Sequence, residues 1–154
     1  MSENESNNES EKKAKPLPSV MSVNICDLII RDELTKKVSL IGLFNTIRAP
    51  SFPFRHPQLH IHITLTNGHG SYQAEVRFMN AELNKPIAGM RGELVFKSPL
   101  QIVEMNLFWQ RLNFVKPGDY IVEILCDGEL IGTRKFIVAG PQQESPPATG
   151  SELN

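Results

Sequence analysis

The sequence predicts an all-β domain, most simply an antiparallel β-sandwich of about eight strands. Three observations carry that prediction. Apolar residues recur at every second position rather than at helical spacing. The runs that do so are rich in Val, Ile, Thr, Phe and Tyr. Between them stand the residue pairs of tight turns, notably Asn67-Gly68, Pro117-Gly118 and Asp127-Gly128.

The elements follow in order. Residues 1–17 have no aromatic or β-branched side chain, so they cannot bury enough apolar surface to offset their ordering entropy and are expected as a disordered tail. Residues 141–154 (PQQESPPATGSELN) are expected to behave likewise. About 120 residues, 18–140, remain for one domain, enough for a core without disulfides or metals. Residues 21–30 (MSVNICDLII) read as a strand, and RDELTK as a turn. Residues 37–47 (KVSLIGLFNTI) read as one strand, apolar on both faces, hence central or covered by a partner. Residues 49–57 (APSFPFRHP) hold three prolines and are expected as an extended loop outside any ladder.

Residues 59–66 alternate strictly. Leu59, Ile61, Ile63 and Leu65 should face a core, while His60, His62, Thr64 and Thr66 face water. After the turn at 67–70, Tyr72, Ala74, Val76 and Phe78 point inward. Residues 87–96 contain Gly89 and Gly92, which suggest a bulge or bend. In 102–115, Val103, Met105, Leu107 and Trp109 share one phase, and Phe108, Leu112 and Phe114 the other. A strand with a bulge at 109–111 explains the switch; an amphipathic helix is the alternative. Tyr120, Val122, Ile124 and Cys126 then lead into Asp127-Gly128. A two-residue loop there pairs Leu125 with Leu130, and a three-residue loop pairs Ile124 with Leu130; both oppose apolar residues. Tyr120, just past a Pro-Gly corner, resembles the tyrosine corner of immunoglobulin-like sandwiches, in which its hydroxyl would bond a backbone group upstream. Trp109 would plug the core.

Composition removes several functions. The net charge is -1 with basic residues dispersed, so no nucleic-acid stripe or membrane patch is expected. No apolar run approaches the ~20 residues of a membrane span. No export or transit signal is legible, so a cytoplasmic location is expected, and Met21 could serve as a natural start. Cys26 and Cys126 are then expected as reduced, partly buried thiols rather than a disulfide.

All four histidines lie within residues 56–69, and that stretch is the obvious candidate site. His60 and His62 project from one face, as zinc ligands can, with Glu75 or Glu93 as a third ligand from a neighbouring strand. The plainer expectation is a solvated strand face, because no CxxC, HExxH or nearby carboxylate accompanies the pair. Asp27, inside ICDLII, must be hydrogen-bonded or paired if it points inward. The loop residues Phe52, Phe54, Arg55 and His56 form the best candidate partner-binding surface, unless the phenylalanines fold back onto the sandwich. The sequence GHGS at 68–71 opens no helix and so fails as a phosphate cradle. No cofactor is expected.

Taken together, ICDLIIRDELTKKVSLIGLFNTI, the loop ending in HPQL and PGDYIVEILCDGEL resemble a family of small bacterial proteins classed only as a domain of unknown function. The resemblance covers about residues 21–139. It implies a β-sandwich in a bacterial cytoplasm and no assigned activity. The expectation is therefore a non-catalytic binding or accessory module with a protein partner or a homodimer face at 38–44. A metal-dependent enzyme using His60 and His62, or a small-ligand sensor, are the alternatives.

Overall fold

A computed structural model describes residues 15–141; the expected tails at 1–14 and 142–154 lie outside the described residues. Nine strands form two sheets. The first contains β1 (Ser19–Arg31), β2 (Val38–Leu43), β4 (Phe54–Thr66) and β7 (Val103–Phe114), in the order β2-β1-β4-β7. The second contains β3 (Thr46–Arg48), β5 (Gly70–Asn80), β6 (Lys85–Phe96), β8 (Gly118–Cys126) and β9 (Glu129–Ala139), in the order β3-β9-β8-β5-β6. All pairings are antiparallel except β3 with β9. No helix occurs among the described residues, so none there is long and apolar enough to cross a membrane.

The alternation read from the sequence fills the core. Leu59, Ile61, Ile63 and Leu65 from β4 face Tyr72, Val76 and Phe78 from β5 and Val122 and Ile124 from β8 across the sandwich, all essentially without solvent contact. Trp109 is the plug expected, its ring edge-on to Phe78 at 4.9 Å. The Tyr120 hydroxyl donates to the Lys116 carbonyl at 2.6 Å, which closes a tyrosine corner at the start of β8. Asp127 and Gly128 both take positive φ, and the two-residue loop pairs Leu125 with Leu130.

Several expectations need correction. Residues 37–47 are two strands, not one. Gly42 takes a left-handed φ, and beyond Phe44 the chain crosses to the second sheet, where Thr46 runs beside Ile137. The change of sheet explains why both faces looked apolar: Leu43 is exposed and Ile47 is in the core. The proline segment does join a ladder. Phe54, Arg55 and His56 pair with Phe114, Asn113 and Leu112, and only Pro57, which has no N–H, leaves a gap. Phe52 and Phe54 fold back against the core rather than standing free. The phase switch near residue 110 is not an inserted residue, since β4 and β7 stay in register throughout. Both strands change phase at one level, where Arg111 adopts a φ of 55° across from Pro57. The β5–β6 ladder likewise runs past Gly89 and Gly92, and its irregularity lies at Phe78/Met79. Finally, residues 15–17 belong with the domain: the Tyr72 hydroxyl donates to the Pro16 carbonyl, and the Lys15 ammonium sits 3.7 Å from the Tyr72 ring centre.

A folded-back ribbon and the histidines beneath it

The first sheet does something its alternation does not reveal. Cys26 is level with His60 and, through it, with Phe108. Arg31 lies five positions beyond Cys26, and Glu104 four positions the other way from Phe108. A straight β1 would hold them roughly 30 Å apart at the ordinary rise per residue. The Arg31 guanidinium nevertheless meets the Glu104 carboxylate at 3.0 Å. Past Cys26, therefore, β1 and β2 leave the sheet plane as a two-stranded ribbon and double back over its outer face. Cys26 has an outward register position yet is 0% exposed, as that cover requires. Asp27, by contrast, is exposed and lies over Gly42, where an added Cβ would clash with its carboxylate.

The two outward imidazoles are thus not the solvated pair that the alternation predicts. His60 lies against Phe108, ring centres 4.7 Å apart. The His62 side chain is 12% exposed, its Nε2 is 3.2 Å from Glu104, and its Nδ1 is buried without a protein partner. Glu104 collects Arg31, His62 and the Asn106 amide. Burial pushes its carboxyl upward, but the bonds from Asn106 and His62 and the charge of Arg31 outweigh this and hold it below the usual value. The sequence reading missed Glu104, although it sits between the inward Val103 and Met105. Only the β4–β7 register sets it beside His62.

The metal constellation does not assemble. Glu75 lies in the second sheet, where Arg91 approaches it at 3.5 Å, and Glu93 is bonded by Ser71. No group of three or more His, Cys, Asp or Glu side chains among the described residues could hold a metal ion. His69 is exposed in the β4–β5 turn, where its backbone N–H donates to the Tyr72 hydroxyl.

His56 has its own setting. The shared phase switch at Pro57 and Arg111 turns it away from Arg55 and into a cleft of about 400 Å³ lined by Asp27, Gly42, Phe44, Arg48 and Phe54. Its ring tilts against Phe44 and Phe54, and its Nε2 is buried without a partner. Burial lowers its pKa, against a backbone bond at Gln58 and the charge of Asp27. A folded-state pKa below the unfolded one gives stability that is present above the unfolded value and lost as pH falls through the folded one. The domain is therefore expected to melt at lower temperature at pH 5 than at pH 7, and His56→Gln should flatten that slope. Thermal scans at the two pH values check this; an unchanged slope in the variant would contradict it.

Neither thiol is primed for chemistry. Burial raises the Cys26 pKa, opposed by its bond to the Leu28 carbonyl. Burial and the neighbouring Asp127 push Cys126 up to about 11. Both are free and buried.

Two sheets, a tyrosine corner and a first-sheet order that places β4 between β1 and β7 define an immunoglobulin-like β-sandwich. The chain belongs to the family of unknown function DUF6941, whose model matches residues 22–139. No curated protein matches it. Among solved structures, it resembles an alkylpurine DNA glycosylase, AlkC, from Pseudomonas fluorescens, bound to DNA containing an abasic site analog (11% identity, TM-score 0.47, 81% of this chain and 31% of that one). It also resembles an immunoglobulin-like protein from Pseudomonas aeruginosa (9% identity, TM-score 0.42, 81% of this chain and 98% of that one). The chain spans about a third of the glycosylase's length.

Proposed function

We propose that this chain is a non-catalytic binding module that pairs with a second copy of itself through the β1–β2 ribbon. One observation carries the reading. Leu28, Ile30, Ile41 and Leu43 form a single apolar face of that ribbon, and all are exposed, Leu43 at 61%. The other edge of β2 has no partner strand among the described residues. An apolar face beside a free edge is the form of a strand-pairing surface. A two-fold axis at Gly42 would set Ile41 opposite the second copy's Leu43 and continue one sheet into the other, the self-complementarity that an isologous contact needs. The polar groups nearby are already used inside the chain: Arg31, His62 and Glu104 hold the ribbon down, and His60 lies on Phe108.

Light scattering on the purified chain is expected to give twice the monomer mass at micromolar concentration. Ile41→Lys, exposed and therefore tolerated by the fold, is expected to give a folded monomer whose melting temperature no longer depends on protein concentration. A strict monomer at every concentration would count against the proposal.

A further inference from the structure

The cleft around His56 gathers hydrogen-bond acceptors and no side-chain donor to meet them. Residues of β1, β2 and β4 line one wall and β3 the other, and its volume of about 400 Å³ falls among those of small-molecule sites. His56 enters it from the inner face of the first sheet, since it pairs with the buried Leu112. The ring's bond to the Gln58 backbone favours the protonated imidazole, so the ring donates it. With Nε2 unpartnered, the donor is Nδ1, and in the neutral ring Nε2 is left as a buried acceptor. Asp27 shares the phase of the core residue Ile25 and so enters from the same face. Its carboxylate lies over Gly42, takes part in none of the ion pairs among the described residues, and its charge reaches the His56 ring.

The β3 wall adds backbone groups. The Ile137 N–H donates to the Asn45 carbonyl and the Ala49 N–H to the Ala139 carbonyl. Alternate residues of a strand direct their backbone groups to opposite edges. Residues 45 and 49 therefore face β9, while Thr46 and Arg48 turn their carbonyls to the open edge that borders the cleft. The cationic side chains nearby point elsewhere. Ile47 packs in the core beside Val138, which sends the Arg48 side chain to the outer face of the second sheet. Arg55 stands between Phe54 and His56 in the opposite phase, across from Asn113. The remaining walls are the Phe44 and Phe54 rings, centred 5.9 and 6.1 Å from that of His56. Phe44 lies on the crossover between β2 and β3, in neither strand, so its ring is the wall that can yield to a donor approaching Nε2.

We infer that this cleft binds a small primary amine with an apolar, ring-sized body. An ammonium group has three donors and no acceptor, the complement of this lining. One N–H would go to Asp27, one to His56 Nε2 and one to a β3 carbonyl, with the body against Phe44 and Phe54. The carboxylate supplies the counter-charge and the ring faces favour a cation beside them. An anion fits poorly, because it would meet Asp27 and find no donor side chain. A bare metal ion fits poorly too, because the cleft brings only two side-chain ligands, and no group of three or more exists among the described residues. The inference does not rest on pairing of two copies through the ribbon.

The test titrates the full chain at pH 7 with 2-phenylethylamine, and with 2-phenylethanol and phenylacetate as the neutral and anionic counterparts, by calorimetry and by ¹⁵N resonances of the histidine rings. The amine is expected to bind saturably, the alcohol at least about tenfold more weakly, and the acid not at all. The His56 Nε2 resonance should move with the amine while those of His60 and His62 stay in place. Asp27→Asn changes an exposed side chain with no ion-pair partner, so it should keep the fold and weaken the amine at least about tenfold. The titrations are repeated on Ile41→Lys, so that pairing of copies and binding in the cleft are read separately. Absence of amine binding in both chains, equal binding of amine and alcohol, an affinity that Asp27→Asn leaves unchanged, or an unmoved His56 resonance would each overturn the inference.

Discussion

Replacing Phe78 by alanine is expected to cost the domain about 3–5 kcal/mol, the range for a large aromatic side chain removed from a closed core. Phe78 has no solvent contact. Its ring stands edge-on to Trp109 of β7 at 4.9 Å and to Phe136 of β9 at 6.1 Å, so it touches both sheets. Nothing else nearby can fill the space, because Val122, Ile124 and Leu59 are each fixed on their own strand and already fully buried. A domain of this kind has only about 5–15 kcal/mol in total, so the variant should be partly unfolded at physiological temperature. Urea titration followed by Trp109 fluorescence measures the loss; Trp109 is the single tryptophan, and its partner ring is the one removed. A loss below about 1 kcal/mol would mean that the two sheets do not meet around Phe78.

Tyr120→Phe is expected to cost about 1–3 kcal/mol, although it removes one oxygen. The hydroxyl's bond to Lys116 ties the β7–β8 corner to the first turn of β8. Without it the Lys116 carbonyl loses its partner in a part-buried place, and the desolvation of that group is no longer offset. The ring packing would persist: Phe114 stands edge-on to residue 120 at 5.0 Å, and Phe136 stacks on it at 5.7 Å. The effect should therefore appear as a loss of stability without a change in the slope of the denaturant transition. Burial raises the Tyr120 pKa, opposed by the bonds to Lys116 and Asn80 and by the Lys116 charge. Phenol absorbance of the folded wild type, compared with Tyr120→Phe, should accordingly show Tyr120 titrating above the ordinary value. A variant as stable as the wild type would mean the corner is ornamental.

Both residues were legible before any coordinates, and for a physical reason. Phe78 belongs to a run in which every second side chain is apolar, and such a run can bury only one face. Tyr120 follows a Pro-Gly turn, whose backbone geometry is local. The hairpin at Asp127-Gly128 was legible as well, yet its register was not, because both pairings opposed apolar residues; the positive φ of both turn residues decided it. Where reading failed, the deciding contact was remote. The outward histidines alternate as a wet face should, but the ribbon that covers them comes from residues 27–43 and is held by Glu104, sixty-one positions beyond Leu43.

The sequence by itself determined the class of the fold, the inward set of β4, β5 and β8, and the corner and turn at the start and end of β8, since each depends on neighbours one to four residues apart. Tertiary structure alone decided that β1 and β2 double back, that His62 meets Glu104, and that His56 turns into a cleft. Those outcomes depend on which strand lies beside which and on how much volume facing side chains occupy. Period-two alternation fixes the direction of a side chain and says nothing about what waits on the other side.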